Sequence, residues 1–191
     1  MAETVLLVMD VQRGIVERFA DDPAYLDRLA GATAAARAAG LPVIYVTVKF
    51  RPGYPEVSER NLSFSALAGS GNFQAGDPAT EVHPAVGPKP GDILITKLRV
   101  SAFAGSDLDV ILRGLGAQTL VLAGIATSGV VLSTVRQAAD LDYRLVVLSD
   151  GCLDADPEVH RVLTEKVFIR QAAVTTVEQW TLGLAGAGAG A

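Results

Sequence analysis

Cysteine is nearly absent from this 191-residue chain, with Cys152 standing alone. One thiol cannot close an intrachain disulfide, which excludes a secreted, cross-linked scaffold. Basic residues are in deficit as well, 16 Lys and Arg against 21 Asp and Glu, for a net charge of -5. Nucleic-acid binding through counterion release needs a basic face, so that class is excluded too. Long hydrophobic runs are missing: Val5 to Met9 and Thr119 to Ala126 fall far short of the roughly 20 residues that cross a bilayer. Glu3 and Asp10 flank the first run, where a signal peptide would carry a basic segment and a cleavage site. What is present is a half-apolar chain, long enough at about 150 residues per domain to form one self-sufficient core. A single cytoplasmic domain over residues 1–182 is expected. The Gly/Ala-rich tail, 183–191, is too small-featured to pack and is expected to be disordered.

Short apolar runs rich in β-branched residues recur at Thr4 to Met9, Pro42 to Phe50, Asp92 to Lys97, Thr119 to Ile125, Arg144 to Ser149 and Ala173 to Val177. Their interiors are apolar at both odd and even positions, which suits strands covered on both faces. Helical spacing fills the gaps. Asp22-Pro23 opens a helix with Leu26, Leu29 and Thr33 on one face and Gly40 at its end. A second runs from about Ser106 with Leu108, Ile111, Leu112 and Leu115 inward and closes at Gly116. A third begins near Ser128, as its N-cap, and buries Val131, Val135 and Ala138; a fourth follows Asp156-Pro157 with Val159, Val162 and Leu163 inward. Alternation of this kind predicts an α/β fold of three layers, a parallel sheet with helices on both sides. Arg51 to Pro90 shows little periodicity and reads as a long binding loop or lid.

Open parallel sheets bind ligands beyond the carboxyl ends of their strands. Asp10, Gln12 and Arg13 follow the first strand, Lys97 and Arg99 the third, Thr127, Ser128 and Gly129 the fourth. No Gly-rich phosphate turn follows the first strand, so a dinucleotide cofactor is not expected. Asp10 and Lys97 stand out as a carboxylate and an ammonium that one crevice could bring together, for acid/base work or as a structural ion pair.

Asp10-Val11-Gln12, Lys97-Leu98-Arg99-Val100-Ser101-Ala102-Phe103 and Gly124-Ile125-Ala126-Thr127, in this order at strand ends, resemble the isochorismatase-like hydrolase superfamily. The likeness spans Thr4 to about Val177 and implies a Rossmann-like, six-stranded parallel sheet of order 3-2-1-4-5-6. It also implies an Asp, Lys, Cys triad in the amidase branch, but the nucleophile position falls on Val130, which has no nucleophile. Ser128 is a conceivable substitute, with the N-cap as its plainer role. Cys152, after the fifth strand, is expected to be a buried small residue. A cis peptide between Ile125 and Ala126 is further implied, turning the Ala126 amide, with that of Val130, toward an anion or oxyanion site. Nicotinamidases that hold a metal use an Asp and two His after the second strand, where this chain has Lys49, Phe50, Arg51 and Pro52, and the two histidines, His83 and His160, lie elsewhere. No metal and no cofactor are therefore expected. Relatives are often homodimers or homotetramers.

The Lys97 to Phe103 segment is closer to the isochorismatase version than to the nicotinamidase one. On that template a vinyl ether is hydrolysed without a covalent intermediate. Asp10 is the general acid, Lys97 positions it and balances its charge, and Arg99 holds a substrate carboxylate. Gln12 supports Asp10 or the water, and Phe19 and Phe103 are apolar walls. Lysine favours the ionised form of a carboxyl, so Asp10 needs burial or an anionic substrate to keep its proton. Three alternatives stay open: an amide hydrolase using water activated by Asp10, a catalytically silent small-molecule binding protein, and an interaction module.

Overall fold

Side chains along β1 (Thr4–Met9) leave the sheet alternately on its two faces, and both faces are apolar. Val5, Leu7 and Met9 enter one core with Ile44, Leu120, Leu122 and Val147; Leu6 and Val8 enter the other with Tyr45, Val121 and Ala123. A computed structural model, describing residues 3–19 and 22–188, builds this strand into a sheet with β2 (Val43–Val48), β3 (Ile93–Lys97), β4 (Thr119–Ile125), β5 (Arg144–Leu153) and β6 (Ala173–Thr175). All pairings are parallel and the order is β3-β2-β1-β4-β5-β6.

Short α1 (Arg13–Val16) follows β1, and the first core is closed by α4 (Leu108–Leu115) and α5 (Leu132–Asp140). α2 (Tyr25–Ala38) and α7 (Val177–Gly188) cover the other face. α3 (Leu62–Ser70) lies within the long connection from β2 to β3, and α6 (Pro157–Val162) follows β5. Asp156 caps α6 by accepting from the Glu158 and Val159 amides, with Pro157 at the first helical position.

Several expectations are corrected. α2 starts at Tyr25, two residues beyond Pro23, while the Asp22 carboxylate accepts from the Ala24 amide, as the expected cap does, and from Arg28. β5 continues past Ser149 to Leu153: a register shift between Leu122 and Gly124 lets Cys152 and Leu153 pair with Gly124 and Ile125. Val159 is exposed, not inward. Ser128 is not a helix cap; it lies in a π-helical turn, Thr127–Val131, kinked at Gly129, that precedes α5. The Arg51 to Pro90 segment is more than a loop. Asn61 caps α3 through the Phe64 amide, and Phe64 and Phe73 join Val48 and Phe50 in a small core of their own. Much of the expected disordered tail is helical: α7 reaches Gly188, and its Val177 and Trp180 join the core that holds Leu29, Ala32 and Ala36 of α2. Residues 189–191 lie outside the described residues.

Candidate active site

The strand order reverses direction between β1 and β4, and Met9 is paired with Gly124 there. Gly124 is required at that point: its φ is +148°, and a Cβ would lie 2.1 Å from the Met9 carbonyl oxygen. Asp10 is the next residue, in the left-handed region at φ 58°, with its amide donating to the Val46 carbonyl at 2.8 Å. Lys97 ends β3 and reaches beneath β2 to Asp10. Its Nζ lies 2.9 Å from Asp10 Oδ2 and donates to the Arg99 carbonyl at 2.9 Å.

The pair is almost shut from solvent, at 6 % exposure for Asp10 and 2 % for Lys97. Asp10 Oδ1 is buried with no hydrogen-bond partner among the described residues. Burial pushes the Asp10 carboxyl above the ordinary carboxylate range, against the opposing pull of the Lys97 ammonium. Burial thus favours the protonated form of Asp10 more than exposure to water would.

Other expected residues take different places. Gln12 is fully buried and does not bond Asp10. Its side chain donates to the Val48 and Thr80 carbonyls and accepts from the Val48 amide, stitching β1, β2 and the long connection together. Arg99 is occupied: its guanidinium donates to the Leu98 and Glu56 carbonyls and lies over the Phe64 ring, so it anchors the connection instead of standing free for a carboxylate. Phe103 is a core residue, stacked near Tyr143 at 6.2 Å. Val130 is buried in the core beneath α5. Ala126 follows a cis peptide from Ile125, and its carbonyl accepts from the Gly129 and Val131 amides. Cys152 is buried on β5, and desolvation pushes its thiol up to about 12, so no thiolate is available near neutrality. Among the described residues no three His, Cys, Asp or Glu side chains converge as a metal site requires.

The turn after β4 holds contacts that sequence reasoning missed. Thr127, fully buried, has Oγ1 2.8 Å from Nδ1 of His160 on α6. The exposed Ser128 presents its amide to Asp154 Oδ2 at 2.6 Å. Burial holds the His160 imidazole below its ordinary pKa, with Asp154 pulling the other way. Phe19 and His160 line a cavity of about 320 Å³ beyond the ends of β4 and β5.

Residues 4–179 match the isochorismatase domain. The chain belongs to the isochorismatase family of hydrolases. It is 36% identical over 187 residues to the uncharacterised isochorismatase family protein YecD of Escherichia coli O157:H7, covering 92% of this chain and 93% of the relative. The ureidoacrylate amidohydrolase RutB of Pseudomonas syringae pv. syringae is 34% identical over 210 residues, covering 92% and 77%. A crystal structure of a cysteine hydrolase from Pseudomonas syringae pv. phaseolicola 1448A superposes with a TM-score of 0.89 at 23% identity, over 97% of this chain and 93% of that one, and shows the shared fold. In this isochorismatase-family hydrolase no described helix is long and apolar enough to cross a membrane.

Proposed function

We propose that this hydrolase cleaves a small anionic substrate without a covalent intermediate, the best-defined reaction being hydrolysis of a vinyl ether of the isochorismate type. The observation that carries this is Asp10: buried beside Lys97, its carboxyl pushed upward by desolvation, with Oδ1 unpartnered among the described residues. Asp10 protonates the methylene carbon of the enol ether; water adds to the resulting oxocarbenium ion and returns a proton to Asp10. The hemiketal then collapses to pyruvate and an alcohol. Lys97 balances the negative charge that Asp10 acquires when it gives up its proton. Val130 stands where the family's amidases carry the thiol, and Cys152 is too buried and too weakly acidic to replace it.

A second reading is amide hydrolysis by water activated at Asp10, favoured by the relatives named ureidoacrylate amidohydrolase. It needs Asp10 ionised, which the burial of that carboxyl opposes. Incubation with isochorismate, followed by a pyruvate assay, tests the first reading, with Asp10→Ala as the control. Ammonia release from ureidoacrylate, measured on the same two proteins, tests the second. Pyruvate above the control supports ether cleavage; ammonia without pyruvate replaces it with amide cleavage.

A further inference from the structure

Arg99 makes contacts at both of its ends. Its guanidinium donates from Nη1 to the Leu98 carbonyl at 2.6 Å and from Nη2 to the Glu56 carbonyl at 2.8 Å, and it lies 5.9 Å from the centre of the Phe64 ring. Its own carbonyl accepts from Lys97 Nζ at 2.9 Å, and the same Nζ lies 2.9 Å from Asp10 Oδ2. A continuous chain of contacts therefore runs from the long connection, through Arg99 and Lys97, to the Asp10 carboxyl.

The Lys97 ammonium has three N–H groups. One is directed at Asp10 Oδ2 and one at the Arg99 carbonyl, while Asp10 Oδ1 has no partner among the described residues. An ammonium tethered in this way serves one oxygen of the carboxyl and not the other. Loss of the tether would leave a buried N–H without an acceptor beside a buried oxygen without a donor, and the two would satisfy each other. Lys97 would then bridge both oxygens and favour the ionised form of Asp10. What fixes the tether is the Arg99 side chain. Upstream of it the Leu98 amide donates to the Ala104 carbonyl; downstream Ser101 and Ala102 meet Gln137 and Thr134 of α5. Val100 between these pins is exposed, so the backbone there takes its position from the guanidinium.

We propose that Arg99 is a positioning residue: its guanidinium, seated on Glu56 and Phe64, holds the carbonyl that keeps Lys97 on one oxygen of Asp10 and leaves Oδ1 to carry the proton. The purpose of this arrangement rests on the ether-cleavage reading, but the protonation of Asp10 is measurable without turnover. The Asp10 carboxyl carbon is followed by NMR across pH, its signal assigned by its absence from Asp10→Asn protein. In Arg99→Met its titration should move toward acid by about half a pH unit or more. A direct charge effect has the opposite sign, since removing a cation moves a carboxyl toward alkali, and a purely structural staple lowers Tm with the titration in place. The acid shift should vanish in a Lys97→Met background, because Arg99 acts through that ammonium. Arg99→Lys, which keeps a cation for Phe64 and a donor for the Glu56 carbonyl, should give a smaller shift of the same sign, and it carries the comparison if Arg99→Met does not fold. A titration that stays in place or moves toward alkali, or an acid shift that persists without Lys97, overturns the proposal. Pyruvate release by the native protein, with the titration unmoved in the Arg99 variants, rejects the role of Arg99 and keeps the reaction. An acid shift in a protein whose native form releases no pyruvate keeps the role and rejects the reaction.

Discussion

Asp10 concentrates the residue-scale argument, because two opposing causes act on one carboxyl. Desolvation raises its pKa and Lys97 lowers it, with burial the larger. A general acid loses activity as pH rises through its own pKa. The hydrolysis rate should therefore fall with increasing pH, and Lys97→Met, by removing the lowering influence, should move that fall to higher pH. A pH profile of kcat/KM in which the fall stays put or moves toward acid would contradict this assignment. The same substitution leaves Asp10 without a counter-charge in a buried place, and taking up a proton is its way out. At Cys152 desolvation is again the largest cause, opposed by a backbone hydrogen bond from Gly124 and reinforced by the Asp150 charge. With its thiol pushed up to about 12, native protein should resist iodoacetamide at pH 8 and react only after unfolding in denaturant; rapid native labelling would place it outside the core.

Elements are joined at this site by side chains whose roles depend on what lies opposite them. Gln12 ties the end of β1 to Val48 of β2 and to Thr80. Gln12→Ala leaves the Val48 amide and the Thr80 carbonyl without their partner, at roughly 1–3 kcal/mol each. Urea unfolding should show a loss of about 2 kcal/mol or more, with faster proteolysis between Arg51 and Pro90; an unchanged midpoint would mean water replaces the side chain without loss. Sequence reasoning placed Gln12 beside Asp10 because the two are neighbours along the chain. The left-handed turn at Asp10 separates their directions, and no spacing rule foretells it. Arg99 went astray for a related cause: its partners, Glu56 and Phe64, come from a segment whose lack of periodicity concealed α3.

At the scale of the molecule, α2 and α7 form one layer, with Val177 and Trp180 of α7 in one core with Tyr25, Leu29, Ala32 and Ala36 of α2. Trp180→Ala removes apolar surface packed against that core and should cost roughly 1–2 kcal/mol by apolar area, seen as a Tm lower by several degrees. No change in Tm would mean that α7 does not hold to α2. The helical extent of the tail was missed because Gly and Ala repeats carry no amphipathic signal.

Alternating strands and helices were legible because the central strands β1, β2 and β4 are buried on both faces, so their apolar runs are continuous and their boundaries are marked by turns. The placement of Asp10 and Lys97 was legible for the same reason, since strand ends in a parallel sheet share one edge. Their meeting at 2.9 Å, the burial that favours a proton on Asp10, and the pairing of Thr127 with His160 across 33 positions were decided only by the tertiary structure. Periodicity reports which face a residue takes on its own element; hydrogen bonds and desolvation depend on what another element brings against it.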